Sequence, residues 1–194
     1  FYSYLCTDIN LDTNIKIIMK AKSLITLLLM LFALTTRADE LQVVTSPVDG
    51  CFAISGTTTT DKCIILYDDK DGEVVQTVVD CLLSDLKAVT KKTFVKYKTE
   101  PTSLKNPIIV GTIGQSKHID QLIADGKLDV SDVQGKWEAY GLQVIDNPME
   151  GVERALAIYG SQPRSTAYGM FELSKMMGVS PWIWWADVTP TVKT

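Results

Sequence analysis

The chain has 194 residues, of which 46% are hydrophobic and 22% are charged, with 19 basic against 23 acidic side chains. This composition is that of a folded domain and excludes intrinsic disorder and collagen-like order. The single histidine, His118, excludes a multi-histidine metal centre and a zinc finger. The net charge of −4 argues against nucleic acid as a partner. We expect neither a metal nor another cofactor.

The first 38 residues have the features of an export signal and not those of a fold. Residues 1–18 begin without methionine and show no period, so we interpret them as an untranslated upstream segment. Residues 19–38 contain a basic start, an apolar run at 24–34 and a small-residue cleavage site, which predicts a secretory signal peptide. That run is too short to cross a bilayer, which needs about 20 apolar residues. The sequence therefore predicts a periplasmic or extracellular protein with no membrane span.

Export makes the cysteines informative, because oxidising compartments permit disulfides. Cys51, Cys63 and Cys81 remain after the signal peptide is removed, so an odd number of thiols is left and one has no partner within the chain. We expect Cys81 to be a buried thiol on the apolar face of a helix. A bridge between Cys51 and Cys63 is left open.

The rest of the chain alternates between strand-like and helix-like segments. Short apolar runs and alternating patterns predict strands, and apolar residues spaced by three and four predict helices. We expect strands at residues 41–44, 51–54, 63–67, 94–98, 107–113, 137–145 and 154–159, and helices at 73–89, 116–124 and 165–177. A turn is predicted at Asp146-Asn147-Pro148. This order indicates an α/β or α+β fold, a mixed sheet flanked by helices, in one domain over residues 39–190.

Residues 111–116 (GTIGQS) lie between a predicted strand and a predicted helix, where backbone N–H groups and the helix dipole can hold an anion. A phosphate-binding loop needs Gly-x4-Gly-Lys-Ser/Thr, and here Gly111 and Gly114 stand too close together and Gln115 follows. A tight turn with Ser116 as helix cap is the favoured interpretation. We expect His118, near the start of that helix, to be solvated.

Two groups of residues suggest carbohydrate chemistry. Trp182, Trp184 and Trp185 fall within four residues, and indoles often stack on sugar rings, but packing at a domain interface is the favoured role. Glycoside hydrolysis needs a pair of carboxylates. The candidate carboxylates are Asp146, Glu172 and Asp187, and cap, turn or surface roles are favoured for each.

Three stretches resemble the N-terminal domain of glycoside hydrolase family 115, the xylan α-glucuronidases. They are residues 108–122 (IIVGTIGQSKHIDQL), 126–147 (GKLDVSDVQGKWEAYGLQVIDN) and 154–188 (RALAIYGSQPRSTAYGMFELSKMMGVSPWIWWADV). The third stretch follows a family pattern, Gly-Ser-x-x-Arg-Gly-Thr-x-Tyr-Gly, at Gly160, Ser161, Arg164, Thr166, Tyr168 and Gly169. It departs from the pattern at Pro163 and Ser165.

The resemblance implies an accessory domain of the kind found in α-glucuronidases and hexosaminidases. The parent enzyme would remove (4-O-methyl)-glucuronic acid side chains from xylan, with its acid and base in a (β/α)8 barrel that follows this domain. The chain would then be a non-catalytic fragment, without catalytic residues of its own, and residues 191–194 would start a linker to the barrel. Its partners would be xylan or glucuronoxylan oligosaccharides, the barrel, and a second copy in a homodimer of the parent.

The resemblance also implies that the loop formed by Ser161, Arg164 and Ser165 leans over the substrate pocket. Arg164 could bind the uronate carboxylate through a bidentate contact, and an ion pair at the start of a helix is an equal alternative. Two rival functions stay open: the accessory domain of a family 67 glucuronidase or a hexosaminidase, and a free-standing carbohydrate-binding or interaction module. The tryptophan-rich run argues against the first rival.

Overall fold

The computed structural model describes residues 4–6, 41–44, 51–54, 63–101, 104–180 and 182. This part of the chain forms eight strands in two sheets, together with three α-helices. The strands are β1 (Tyr4–Cys6), β2 (Gln42–Val44), β3 (Phe52–Ala53), β4 (Cys63–Leu66), β5 (Phe94–Tyr97), β6 (Ile108–Thr112), β7 (Tyr140–Met149) and β8 (Val152–Gly160), and the helices are α1 (Glu73–Thr90), α2 (Lys117–Ala124) and α3 (Pro163–Met176).

The main sheet has five strands in the order β5-β4-β6-β8-β7. Its first four strands are parallel, and the edge strand β7 is antiparallel to β8. All five residues of β6 are buried, as a continuous apolar run in a parallel sheet requires. The chain leaves β4 for β5 on one side and returns to β6 on the other, so the strand order reverses between β4 and β6. Sheets of this class hold ligands at the carboxyl ends of the strands beside such a reversal.

Helices cover both faces of the main sheet. Ile108 and Val110 of β6 pack with α1 and α3, whereas Ile109 packs on the opposite face with α2. This division follows from the two-residue period of a strand. The apolar stripe of α1 is buried against the sheet, and the helix ends at Thr90, followed by Lys91 with a left-handed φ of 60°. The predicted α/β class, a mixed sheet flanked by helices, is confirmed.

A small antiparallel sheet has the order β2-β1-β3. Its β3 residue Phe52 is fully buried in the same core as α1 and α3. Strand β1 falls within residues 1–18, for which the sequence predicted no element. The interpretation of that segment as untranslated stays a prediction. The predicted signal peptide over 19–38 and the predicted linker at 191–194 lie outside the described residues.

The predicted turn at Asp146-Asn147-Pro148 is wrong. Strand β7 continues to Met149 with a shift of register between Asp146 and Met149, and Asn147 absorbs the irregularity with a φ of 50°. The chain reverses at Glu150 and Gly151 instead, where the φ of 76° at Gly151 suits glycine.

Two expectations about single side chains also need correction. His118 is buried rather than solvated: its Nε2 lies 3.1 Å from the carbonyl oxygen of Lys98 and its Nδ1 lies 3.6 Å from the Glu100 carboxylate. Cys81 has a free thiol, but it is only half-buried on α1. Cys51 is disulfide-bonded, and the side chain of Cys63, the partner that the sequence left open, lies outside the described part.

Candidate functional site

The carboxyl ends of β4, β6 and β8 place three polar segments side by side. A 3-10 turn (Asp69–Asp71) follows β4, Thr112 ends β6, and residues 161–166 follow β8 and begin α3. This is the edge of the sheet at which a ligand is expected in a fold of this class.

Asp71 fills the centre of this edge. Both of its carboxylate oxygens lie 2.9 Å from the backbone nitrogen of Thr112, which donates to them. Both residues are fully buried. Burial raises the pKa of Asp71, the hydrogen bonds from Thr112 lower it, and the nearby charges of Asp68 and Asp120 raise it again, so that the net shift is upward. The Asp71 carboxylate therefore already accepts from the Thr112 N–H, which is the backbone donor that an anionic ligand would need at this turn.

Asp68 lies on the same edge and is also buried. It accepts hydrogen bonds from the backbone N–H groups of Lys70 and Lys117, at 3.0 and 3.1 Å. Burial raises its pKa, but these two hydrogen bonds and the charge of Lys117 outweigh burial and lower the pKa below the ordinary value. Asp68 therefore ties the end of β4 to the start of α2.

The segment 111–116 forms the predicted tight turn, but Ser116 does not cap α2 with its side chain. A Cβ on Gly111 would lie 2.3 Å from the Ser116 Oγ, so the glycine allows close packing of helix against strand. The Ser116 hydroxyl is buried without a hydrogen-bond partner among the described residues. Asp120 accepts from the Gly114 N–H at 2.8 Å instead. Ser116 thus stands directly before α2, as predicted, but the prediction that its side chain caps the helix is wrong. Close packing against Gly111 buries the hydroxyl, and it accepts no hydrogen bond from the helix.

The first turn of α3 sits directly on the end of β8. A Cβ on Gly160 would lie 2.3 Å from the backbone nitrogen of Thr166. The Thr166 hydroxyl is fully buried, 2.9 Å from the hydroxyl of Thr112, and donates to the Gln162 carbonyl at 3.2 Å. Gly160 and Thr166 of the family pattern thus join α3 to the sheet.

The three predicted substrate-binding residues lie in this first turn in different environments. Ser165 is fully buried, and its hydroxyl accepts from the Gln162 N–H at 3.0 Å and donates to the Gln162 carbonyl at 2.8 Å. Ser161 is half-buried, with its Oγ 3.4 Å from that of Ser165. Arg164 is exposed. The structure gives Ser165 a capping role and leaves Ser161 and Arg164 open to solvent.

Arg164 has two partners of its own. Its Nε donates to the Tyr168 hydroxyl at 2.7 Å, its Nη1 lies 3.2 Å from the Glu138 carboxylate, and the guanidinium lies 5.7 Å from the centre of the Tyr168 ring. The hydrogen bond to Tyr168 and the charge of Glu138 both raise the Arg164 pKa. The ion-pair alternative is present in the structure, and binding of a uronate stays a prediction.

The other candidates are placed as follows. Trp182 lies in a turn, 63% exposed, and Trp184, Trp185 and Asp187 lie outside the described residues. Asp146 pairs with Arg154 at 2.6 Å, and Glu172 pairs with Lys175 at 3.2 Å. Both described carboxylates thus have a cationic partner.

Within the described ranges, no group of three or more His, Cys, Asp or Glu side chains could hold a metal ion. The helices of those ranges include none that is both long enough and apolar enough to cross a membrane.

Sequence reasoning missed Asp71 and Thr112. The acidic run Asp68-Asp69-Lys70-Asp71 directly after an apolar strand was the available signal, because the carboxyl end of a parallel strand is where polar side chains of this fold converge. The partner of Asp71 lies 41 residues away, and no local pattern predicts that pairing.

A second feature is a groove of about 1090 Å³ between α1 and α3, which we call the α1–α3 groove. Its lining residues are Thr77, Asp80, Cys81, Ser84, Asp85, Tyr140, Tyr168, Phe171, Glu172, Ser174, Lys175, Val179 and Ser180. Burial raises the pKa of Asp85, and the nearby Ser174 hydroxyl opposes this shift. The Ser174 residue is only 3% exposed, and its Oγ makes no well-formed hydrogen bond within the described part.

Comparisons with known proteins found matches among solved structures. No protein-family model matches the chain, and no curated protein matches it. The solved structure of CpGH84D aligns at 12% identity and a TM-score of 0.42, over 60% of this chain and 17% of that one.

Another solved structure that matches is that of BtGH115A, a family GH115 4-O-methyl-α-glucuronidase with specificity for decorated arabinogalactans. It is 38% identical over 68% of this chain, with a TM-score of 0.55. This chain covers 15% of the length of BtGH115A. Identity at this level, joined to a shared fold, shows that the chain carries a domain related to those of glycoside hydrolase family 115.

Proposed function

We propose that the chain is the N-terminal accessory domain of an exported glycoside hydrolase that removes (4-O-methyl)-glucuronic acid side chains from xylan. The observation that carries this proposal is the 38% identity to BtGH115A, which is a 4-O-methyl-α-glucuronidase. Because the chain covers 15% of that protein, the proposal assigns the acid and base to a (β/α)8 barrel beyond this domain. The ion pairs of Asp146 and Glu172 support this assignment, since each carboxylate already has a cationic partner.

The proposed contact between this domain and the substrate is the start of α3. Arg164 is exposed there beside the half-buried Ser161, and an arginine can hold a carboxylate through two parallel hydrogen bonds. A uronate that binds Arg164 would take the place of the Glu138 carboxylate, which now lies 3.2 Å away. Ser165 would keep its cap on α3 and would not contact the sugar.

A second candidate substrate is an arabinogalactan that carries the same uronic acid. BtGH115A is specific for decorated arabinogalactans, and this specificity favours that candidate. The uronate carboxylate is common to both substrates, so a contact with Arg164 fits either polysaccharide. The two substrates differ in the sugars around the uronic acid.

The test uses the full-length enzyme with Arg164→Lys, assayed on aldouronic acids from xylan and on decorated arabinogalactan. We expect KM to rise about tenfold, which is about 1.4 kcal/mol, because lysine cannot reproduce the bidentate contact. Lys175→Arg is the matched control, since it also exchanges one exposed cation of α3 for the other, away from the proposed contact. An unchanged KM for Arg164→Lys would reject the contact, and the polysaccharide with the higher kcat/KM identifies the substrate.

The proposal that the catalytic acid and base lie outside this domain is tested on the chain of 194 residues by itself. We expect no release of glucuronic acid from either substrate, and measurable turnover would contradict the placement of the chemistry elsewhere. Secretion is tested by the N-terminus of the exported protein, which the proposal places directly after Ala38. Light scattering on the parent enzyme tests the homodimer.

A further inference from the structure

The α1–α3 groove has one aromatic wall and one polar wall. The aromatic wall includes Tyr168 and Phe171, which lie three residues apart on α3 and share a face, and Tyr140 of β7. All three rings are partly open to solvent, and Phe171 is the most exposed at 47%. A Cβ on Gly169 would lie 3.3 Å from the Tyr140 ring, so this glycine lets the ring pack closely against α3. The packing of β7 on α3 therefore holds the aromatic wall in place.

The polar wall belongs to α1. Thr77, Asp80 and Ser84 line the groove at spacings of three and four residues, which place them on one face of the helix, and Asp85 follows directly. Asp80 pairs with Lys96, whereas no ion pair joins the half-buried Asp85 to a cation in the described part of the chain. The α1 side of the groove thus presents hydroxyl and carboxylate oxygens.

These two walls match the chemistry of a neutral pyranose ring. Its C–H groups are attracted to the negative face of an aromatic ring, and its hydroxyls are donors for a carboxylate. A hydrogen bond to an ionised carboxylate is stronger than one between neutral groups. A uronate in the groove would instead be repelled by Asp85. The volume of about 1090 Å³ lies just above the range of about 300 to 1,000 Å³ for small-molecule sites, so the groove has room for several joined sugars.

The groove also adjoins the proposed contact with the uronate. Tyr168 takes part in both places, because it lines the groove while its hydroxyl accepts from the Arg164 Nε at 2.7 Å. The Arg164 guanidinium lies 5.7 Å from the centre of the Tyr168 ring. A branched saccharide can therefore contact both residues at once. A uronic acid bound at Arg164 would bring the sugars that carry it to the groove.

We propose that the α1–α3 groove binds the neutral backbone of the polysaccharide that carries the uronic acid, with sugar rings against Tyr168 and Phe171 and a sugar hydroxyl on Asp85. The choice of polysaccharide rests on the proposed function, whereas the binding of neutral sugar rests on the groove itself. The groove then recognises the backbone, and Arg164 recognises the branch.

Cys81 reports on the occupancy of the groove, because its free, half-buried thiol lines it. The experiment alkylates the folded full chain with N-ethylmaleimide, alone or with xylohexaose or a galactan hexasaccharide, and follows the Cys81 peptide by mass spectrometry. We expect a hexasaccharide to slow the reaction about tenfold at about ten times its Kd, because only the empty groove exposes the thiol. The hexasaccharide with the lower Kd identifies the backbone as that of xylan or of arabinogalactan.

Two variants test whether the two walls provide the protection. Phe171→Ala removes an exposed ring, and Asp85→Asn keeps the shape of the side chain without its charge. We expect the Kd to rise about tenfold in Phe171→Ala and about threefold in Asp85→Asn. Trp137→Ala is the matched control: this indole is 79% exposed and does not line the groove, so the Kd should not change. Circular dichroism checks the fold of each variant, and Asp85→Asn carries the test if Phe171→Ala does not fold.

Protection by neither hexasaccharide would overturn the proposal, and so would an unchanged Kd in the folded wall variants. It would also be overturned if Cys81 were protected only at high protein concentration, because the occupant would then be a second copy. Arg164→Lys should leave protection by the neutral hexasaccharide unchanged. A failure at the groove can therefore be distinguished from a failure of the proposed function, which is measured as the KM of the full-length enzyme.

Discussion

The two ends of α3 differ in how completely the domain satisfies its own polar groups. At the first turn, the Thr166 hydroxyl meets that of Thr112 at 2.9 Å, and Asp71 accepts from the Thr112 N–H. Near the last turn, Ser174 is equally inaccessible but has no well-formed hydrogen bond in the described structure. The first end forms a complete hydrogen-bond network within this domain, whereas the Ser174 hydroxyl at the second end is beside only the Asp85 carboxylate. We infer that substitutions at the two ends have different effects on stability.

The largest effect is expected where α3 touches the sheet. In Gly160→Ala the new Cβ would lie 2.3 Å from the backbone nitrogen of Thr166, and backbone cannot move aside as a side chain can. We expect a loss of about 3 kcal/mol in the free energy of unfolding, measured by denaturant titration.

Gly169→Ala, in the middle of α3, is the matched control for this prediction. Its Cβ would meet the side chains of Ile158 and Tyr140, at 2.9 and 3.3 Å, and alanine is the better helix former. We expect a loss of about 1 kcal/mol or less. Equal losses in the two variants would show that the closeness of α3 to β8 is not what Gly160 provides.

The next effect tests the hydrogen-bond network at the complete end. Thr166→Val keeps the shape of the side chain but removes the hydroxyl that faces Thr112 and the Gln162 carbonyl. Because the buried Thr112 hydroxyl would lose this partner and keep only Asp71, we expect the free energy of unfolding to fall by about 2 kcal/mol. An unchanged free energy would mean that this network does not stabilise the first turn of α3.

The buried Asp71 carboxylate at the complete end leads to a prediction about the pH dependence of stability. Burial raises the pKa of Asp71 above the ordinary value of about 4, so the native state holds its proton more tightly than the unfolded chain does. The stability contributed by Asp71 is therefore full below pH 4 and is lost as pH rises through the native pKa.

Asp71→Asn removes this dependence while keeping one oxygen to accept from Thr112. We expect the wild type to lose stability relative to Asp71→Asn as the pH increases from 3 to 6, measured by urea unfolding at each pH. A constant difference over this range would show that Asp71 titrates alike in both states. A variant at Asp68, whose pKa is lowered, would show the opposite slope.

The sequence correctly predicted the helices and strands whose buried residues follow a regular apolar spacing. The spacing of three and four in α1 and the continuous run of β6 correspond to buried faces, so burial itself imposes the pattern. The turn at Asp146-Asn147-Pro148 was missed because pairing with β8 carries β7 past an otherwise reliable turn signal. His118 was misplaced because the loop that buries it follows β5, far away along the chain.

The candidate site was less predictable than the fold. The resemblance singled out the start of α3, but it could not show that Ser165 is buried in a cap while Arg164 pairs with Glu138. The network around Asp71 joins segments 41 and 54 residues apart, and such pairings leave no local signal in a sequence. Chemistry that depends on long-range contacts therefore has to be taken from the structure.

The smallest effect is expected at the last turn of α3 and sharpens the comparison most. The Ser174 hydroxyl is buried beside the half-buried Asp85 carboxylate and makes no hydrogen bond as well formed as that of Thr166 with Thr112. Ser174→Ala should therefore lower the free energy of unfolding by less than about 1 kcal/mol, measured by urea unfolding beside Thr166→Val. Equal losses in Ser174→Ala and Thr166→Val would make the two ends of α3 alike.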